Sequence, residues 1–246
     1  MKKIFLYILA GSLCFSACKK DDEIETYKEP EDISIQNSYD DISIEKFLGE
    51  NYLDAQGNIK AFSATDASDD NETKLKDLNP APVKLSSGVI YIVRNGAQPN
   101  PGTEIKTENV MRIMMRARTY LAANTDGNTA FFNTSDFAGY SSLDGSGTPI
   151  VDPAFFYARK VLTDLNPRSY YEIEGFQEAI TKFRAFDLDD SANYNLQGVI
   201  IVPSRAAFAR DNHSSFGVQG TNIYRNKTFV FNFQVYKSRT RLPNEY

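Results

Sequence analysis

The sequence predicts an α+β domain, an antiparallel sheet closed over a helix, and three observations predict it. Residues 228–236 alternate, with Phe229, Phe231, Phe233 and Val235 on one face and Asn232 and Gln234 on the other, the period-two pattern of a half-buried strand. Residues 110–119 repeat the pattern, Met111, Ile113, Met115 and Ala117 facing in and Arg112, Arg116 and Arg118 facing out. Phe176, Ala179, Ile180 and Phe183 recur at helical spacing, so a helix over about 175–186 has an apolar stripe to bury against such a sheet.

At the N-terminus, Met1-Lys2-Lys3 is a basic head, residues 4–17 carry no charge, and the small pair Ser16-Ala17 precedes Cys18. The uncharged run is too short for a spanning helix, which needs roughly 20 apolar residues, so it reads as a cleavable export signal. Phe15-Ser16-Ala17-Cys18 resembles the lipobox of bacterial lipoproteins, which implies cleavage after Ala17, lipid on Cys18 and a membrane-anchored protein, with an ordinary secretory signal as the alternative. Removing Lys2 and Lys3 with the signal moves the net charge from −5 to −7, which disfavours nucleic acid as a partner. With Cys18 lipidated no cysteine is left for a disulfide or thiolate site, and the single histidine, His213, cannot form a metal cluster, so no cofactor is expected. His213 beside Asp211 could be imagined as a base; between Asn212 and Ser214 it reads instead as a solvated loop residue.

Residues 18–84 read as a tether. From residue 19 to 41 there are nine acidic and three basic residues and few large apolar groups, a composition that cannot order itself. Its opening, Lys20-Asp21-Asp22, is similar to the export tag that sends some Gram-negative lipoproteins to the cell surface, or is simply an acidic linker. Ile44, Phe47, Leu48 and Tyr52 predict a short helix near 41–54, with Asp40 or Asp41 available as its cap. Residues 54–57 are turn-like, and 63–82, polar and closed by Pro80 and Pro82, look like a second linker, so the compact domain is expected from about 85 to 238, with 239–246 as a tail.

Within that domain, residues 89–93 form a strand between Gly88 and the Asn95-Gly96 turn, and residues 196–202 another, stopped by Pro203. Asp152-Pro153 is a cap followed by proline at the first helical position, predicting a helix over 152–166 with Phe155, Ala158, Leu162 and Leu165 on one side and a stop at Asn166-Pro167.

Three segments, Ile173 to Ile180 (Ile-Glu-Gly-Phe-Gln-Glu-Ala-Ile), Val199 to Ser204 and Phe229 to Phe233, resemble in order and spacing the FKBP peptidyl-prolyl isomerases, over roughly residues 85–238. Asp126-Gly127 through Phe132-Asn133-Thr134-Ser135 looks like that family's pocket-wall element. The resemblance implies an FKBP-like sheet wrapped over a helix and a proline pocket lined by Phe132, Asn133, Ile173, Phe176, Phe208 and Phe231, with Phe176 as its floor. By the same resemblance Phe208 replaces a tyrosine, Asn133 an aspartate, Glu172 an aliphatic residue, and a tyrosine is absent near Ala117. About 37 residues separate Ser135 from Ile173, so helix 152–166 looks like an insertion that caps the pocket or fills space.

Twisting an X-Pro bond requires no nucleophile or metal; an apolar cavity lowers the barrier of about 18–20 kcal/mol by desolvating the amide and holding the twisted geometry. The resemblance therefore implies a foldase of the bacterial envelope, anchored by lipid in the outer membrane and facing the periplasm or the surface. Its partners would be proline-containing segments of envelope proteins, and the lost polar groups imply weakened activity. The alternatives are a non-catalytic binding or chaperone module, or a structural subunit of a surface assembly.

Overall fold

A computed structural model describes residues 27–211, 213 and 223–246. The expected signal at 1–17, the lipid site at Cys18 and the start of the tether lie outside the described residues. Among the described residues no helix is long and apolar enough to cross a membrane.

The chain forms α1 (Ile33–Glu50), β1 (Asn51–Leu53), β2 (Ile59–Ala61), β3 (Val83–Lys84), β4 (Ile90–Val93), β5 (Thr103–Glu104), β6 (Val110–Thr125) and β7 (Asn128–Asp136). There follow β8 (Ile150–Val151), α2 (Lys160–Thr163), α3 (Glu174–Ile180), β9 (Arg184–Ala185), β10 (Gly198–Val202) and β11 (Lys227–Arg239). The main sheet is antiparallel, in the order β3-β4-β10-β11-β6-β7, with β8 also on β6. The α+β class expected from the alternating strands and the striped helix is thus the architecture observed.

The long β6–β11 ladder pairs Ala117 with Phe231, Met115 with Phe233 and Ile113 with Val235, so the apolar faces of both strands coincide. That inner face packs on Phe176, Ala179 and Ile180 of α3 and on Phe155 and Phe156, all fully buried. An ideal Cβ built on Gly175 would lie 2.6 Å from Val202 Cγ1 and 2.8 Å from the Ala206 carbonyl, so glycine lets α3 approach the sheet. Helix α3 is shorter than the expected 175–186: the chain leaves it after Ile180 through single turns to Phe183, because Arg184–Ala185 pairs with β5. All four residues of its stripe are nevertheless buried.

The outer face is covered too. Ile90, Ile92, Val199, Ile201 and Val230 pack beneath Ile44, Phe47 and Leu48 of α1, with Leu75 completing the cluster. The unbroken run Val199-Ile200-Ile201-Val202 follows from this, since a strand buried on both faces has no polar side. Asn232 and Gln234, expected to face solvent, are only 2% exposed. Asn232 donates to the carbonyls of Gly57 and Gly198 at 2.9 and 3.3 Å and accepts from Ile59 N–H at 3.2 Å, while Gln234 accepts from Asn195 N–H at 2.7 Å.

The described part of the segment read as a tether is therefore packed on the sheet. Its helix begins at Ile33, not near 41, because Asp32 is the cap, its carboxylate accepting from Ser34 N–H at 2.8 Å. Asp40, one of the expected caps, is buried inside the helix and accepts from Ser204 N–H at 2.9 Å, Ser204 Oγ at 2.5 Å and Gln36 Nε2 at 3.1 Å. Burial pushes its carboxyl up, and the three donors oppose that push. The helix ends at Glu50, and Tyr52 lies on β1. In the expected linker at 63–82, Leu75 is fully buried and Asp69 accepts from Ser63 N–H at 2.7 Å.

Ahead of α1, Glu29 is gripped by Arg225, Nε to Oε2 at 2.6 Å and Nη2 to Oε1 at 2.8 Å, and by Asn226 Nδ2 at 2.7 Å. The Arg225 hydrogen bonds hold the Glu29 carboxyl below its ordinary range. A depressed folded-state pKa means that this anchoring is present above the unfolded carboxyl pKa of about 4.3 and is lost as pH falls through the lowered value. Backbone chemical shifts of residues 27–32 are expected to be those of a fixed segment at pH 7 and to move toward random-coil values as the pH falls below about 4. Unchanged shifts between pH 7 and pH 3 would show that Glu29 does not hold the segment.

Candidate functional site

The predicted pocket residues fall into two groups. Ile173, at the head of α3, and Phe176 on its buried face come together with Phe231 of β11, each 0% exposed. The Phe176 and Phe231 ring centroids are 4.6 Å apart, tilted by 58°. Phe208, 2% exposed, joins this cluster from the side, through Phe229 at 5.6 Å and Tyr224 at 6.0 Å. Phe132 and Asn133 do not reach it. The β6–β7 register shifts between Leu121, paired with Asn133, and Ala122, paired with Phe131, so Phe132 is the extra residue of a bulge. Phe132 is 43% exposed on the hairpin and Asn133 is exposed as well.

Two phenylalanines outside the predicted set take central places. Phe137, just beyond β7, lies 5.5 Å from Phe155, 5.0 Å from Phe229 and 6.2 Å from Phe231. Phe155 stacks on Phe231 at 5.2 Å and 25°, and meets Phe176 edge-on at 5.0 Å. Phe137, a large apolar residue directly after the polar run Asn133-Thr134-Ser135-Asp136, was the available signal for the first. The second was hidden by assigning residues 152–166 to one helix.

That helix is confined to Lys160–Thr163. Asp152 has φ +53°, outside helical geometry, and its carboxylate is held by Arg241 at 2.6 and 2.7 Å, so it pairs with a cation instead of capping. Pro153 starts a turn that accepts from Phe156 N–H at 2.9 Å and Tyr157 N–H at 3.1 Å. Phe155 and Ala158 are fully buried in the core, whereas Leu165, expected on the same face, is 74% exposed.

The 155–158 segment is fastened over the head of α3. Ile173 N–H donates to the Phe155 carbonyl at 2.8 Å, Gln177 Nε2 to the Phe156 carbonyl at 2.7 Å, and Ala158 N–H to Glu172 Oε1 at 2.8 Å. Glu172, which by resemblance replaces an aliphatic residue, is the anchor, itself held by Arg168 at 2.6 Å. The ring of Phe155 thus packs against both Phe176 and Phe231, which also touch each other, and its carbonyl takes the Ile173 N–H at the head of α3. Burial pushes the Tyr140 and Tyr224 hydroxyls up to about 12, so both stay protonated at neutral pH.

His213, expected in solvent, is 3% exposed, stacked on Tyr170 at 4.9 Å and tilted against Phe208 at 4.1 Å. Phe208 is near in sequence, but Tyr170, which covers the other side of the ring, is far away, which is why the polar flanks of His213 misled. Its Nδ1 lies 3.3 Å from the Asp211 carbonyl, an interaction that does not make a general base of it. Among the described residues no group of His, Cys, Asp and Glu could hold a metal ion.

No protein-family model matches the chain, and no curated protein matches it.

Proposed function

We propose that this protein is an outer-membrane lipoprotein, anchored through lipid on Cys18, built on an FKBP-like scaffold. Its isomerase activity is weakened to the point that the domain serves as a binding module for extended or proline-containing segments of other envelope proteins. The observation that separates this reading from a working isomerase is the packing of Phe155: its ring stacks on Phe231 and its carbonyl takes the Ile173 N–H, so the aromatic wall is engaged from within the chain. An isomerase of this type works by taking the substrate prolyl amide into an apolar cavity, and a wall with no exposed ring surface gives that amide nowhere to desolvate. The outlying positions of Phe132 and Asn133 support the same reading, because the substrate-positioning side of the resemblance is not gathered at the cluster.

The test is a protease-coupled proline-isomerisation assay on the intact chain in detergent micelles, with peptides differing in the residue before proline. We expect relaxation at the uncatalysed pace of tens to hundreds of seconds, unchanged by Phe176→Ala. Acceleration that disappears in Phe176→Ala would overturn the binding-only reading and make the protein a working isomerase whose 155–158 segment moves aside.

A further inference from the structure

On the opposite face of the sheet from the aromatic cluster, a cavity of about 500 Å³ opens between α1, the β1–β2 hairpin and strands β6, β7 and β11. Its size is in the range of small-ligand sites. One wall is aromatic. Phe47 of α1 meets Tyr120 of β6 at 5.6 Å and Phe131 of β7 at 6.0 Å, and Tyr120 and Phe131 lie 4.7 Å apart. Burial pushes the Tyr120 hydroxyl up, so this wall is uncharged.

The other wall carries cations of unequal freedom. Arg116 is committed: Asp144 binds its Nε at 2.7 Å and its Nη2 at 2.8 Å, and Asn58 accepts from Nη1 at 3.1 Å. Arg118, beside Val230 in the ladder, has a loose acidic partner, Asp136 at 3.7 Å, and also bonds the Tyr120 hydroxyl of the aromatic wall; the Arg118 and Asp136 side chains are well exposed, at 46% and 61%. Lys46 approaches Asn128 Oδ1 at 3.4 Å and has no acidic group within ion-pair distance among the described residues. Glu50 and Asn51, at the end of α1, supply acceptors on the same cavity. Three cations, Lys46, Arg116 and Arg118, thus line the cavity with one acid, Glu50, on a chain of net charge −5.

We propose that this cavity binds the C-terminus of a polypeptide ending in an aromatic or bulky apolar residue. The terminal carboxylate pairs with Arg118 and Lys46, the last side chain lies against Phe47, Tyr120 and Phe131, and the backbone N–H groups face Glu50 and Asn51. Each part of that ligand meets its complement: guanidinium forks suit carboxylates, and the rings suit an apolar side chain. The site uses none of the residues of the aromatic cluster and stands whether or not the scaffold reading holds.

The test is calorimetric titration of the intact chain in detergent micelles with acetyl-Ala-Ala-Phe as the free acid, the same peptide as its C-terminal amide, and N-acetylphenylalanine. We expect saturable binding of the acid and at least about tenfold weaker binding of the amide, the loss of one charge-assisted contact. Arg118→Gln, at an exposed position where folding is little affected, is expected to reduce the preference for acid over amide, and Arg118→Gln combined with Lys46→Gln to erase it. Ala130→Trp, which fills the cavity from β7, is expected to abolish binding of both peptides while thermal unfolding remains cooperative. Equal affinity for acid and amide, or a full preference retained in the Arg118→Gln, Lys46→Gln double variant, would overturn the proposal. N-acetylphenylalanine binding as tightly as the tripeptide acid would overturn the polypeptide as occupant and assign the cavity to free aromatic acids.

Discussion

Arg241→Ala is expected to lower the unfolding free energy by about 3–5 kcal/mol, because it leaves a buried carboxylate with only the looser Arg159, at 3.7 Å, for a partner. The Arg241 side chain is 0% exposed and Asp152 is 10% exposed, with paired contacts at 2.6 and 2.7 Å. Arg241 also lies 3.8 Å over the Tyr157 ring and donates to the carbonyls of Glu108, Asn109 and Glu245 at 3.2, 3.3 and 2.9 Å. The expected C-terminal tail is thus the clamp that holds the 152–158 turn against β6. At roughly 2–4 °C per kcal/mol for a chain of this size, thermal unfolding should fall by about 10 °C. Asp152→Asn combined with Arg241→Met is expected to recover part of the loss, since it removes both charges and asparagine tolerates the positive φ at 152, while the three carbonyls stay without the Arg241 donors. A single-variant loss below about 1 kcal/mol would show that the pair is solvated and the clamp is elsewhere.

Phe155→Ala is expected to cost about 3–5 kcal/mol, the range for truncating a fully buried phenylalanine. The effect is large because the ring touches Phe137, Tyr140, Phe176 and Phe231 at 4.8–5.5 Å, and fixed strands limit how far those neighbours can collapse. Benzene, which enters dry apolar cavities, is expected to restore part of the loss. Phe132→Ala, on the exposed bulge, is the contrast, with an expected cost below about 1 kcal/mol. Denaturant unfolding of the two variants in parallel checks both values; equal costs would show that Phe155 does not fill the space at the head of α3.

The periodicities of 110–119, 175–183 and 228–236 determined by themselves that a sheet with an apolar inner face is closed by a helix. Local rules suffice there, because alternation and helical spacing act within one element and Phe176, Ala179 and Phe231 have a single way to be buried. Where the polar flank of a segment was satisfied from far along the chain, the sequence pointed the wrong way. Asp40 looked like a cap and is held by Ser204; Asp152 looked like a cap and is held by Arg241; His213 looked solvated and is covered by distant Tyr170, with nearby Phe208 on its other side. The acidic stretch before residue 41 looked too polar to pack, yet Glu29 finds Arg225 and α1 lays Ile44, Phe47 and Leu48 on the outer face of the sheet. The aromatic cluster was half legible for the same reason. Ile173, Phe176, Phe208 and Phe231 sit in it on the strength of their own elements, whereas the exchange of Phe132 for Phe137 depended on a bulge, and the placement of Phe155 on a turn fixed by a cation roughly 90 residues away. Burial of apolar faces is written in local pattern; the pairing of buried charges and the register of a bulged strand are decided only when distant parts of the chain meet.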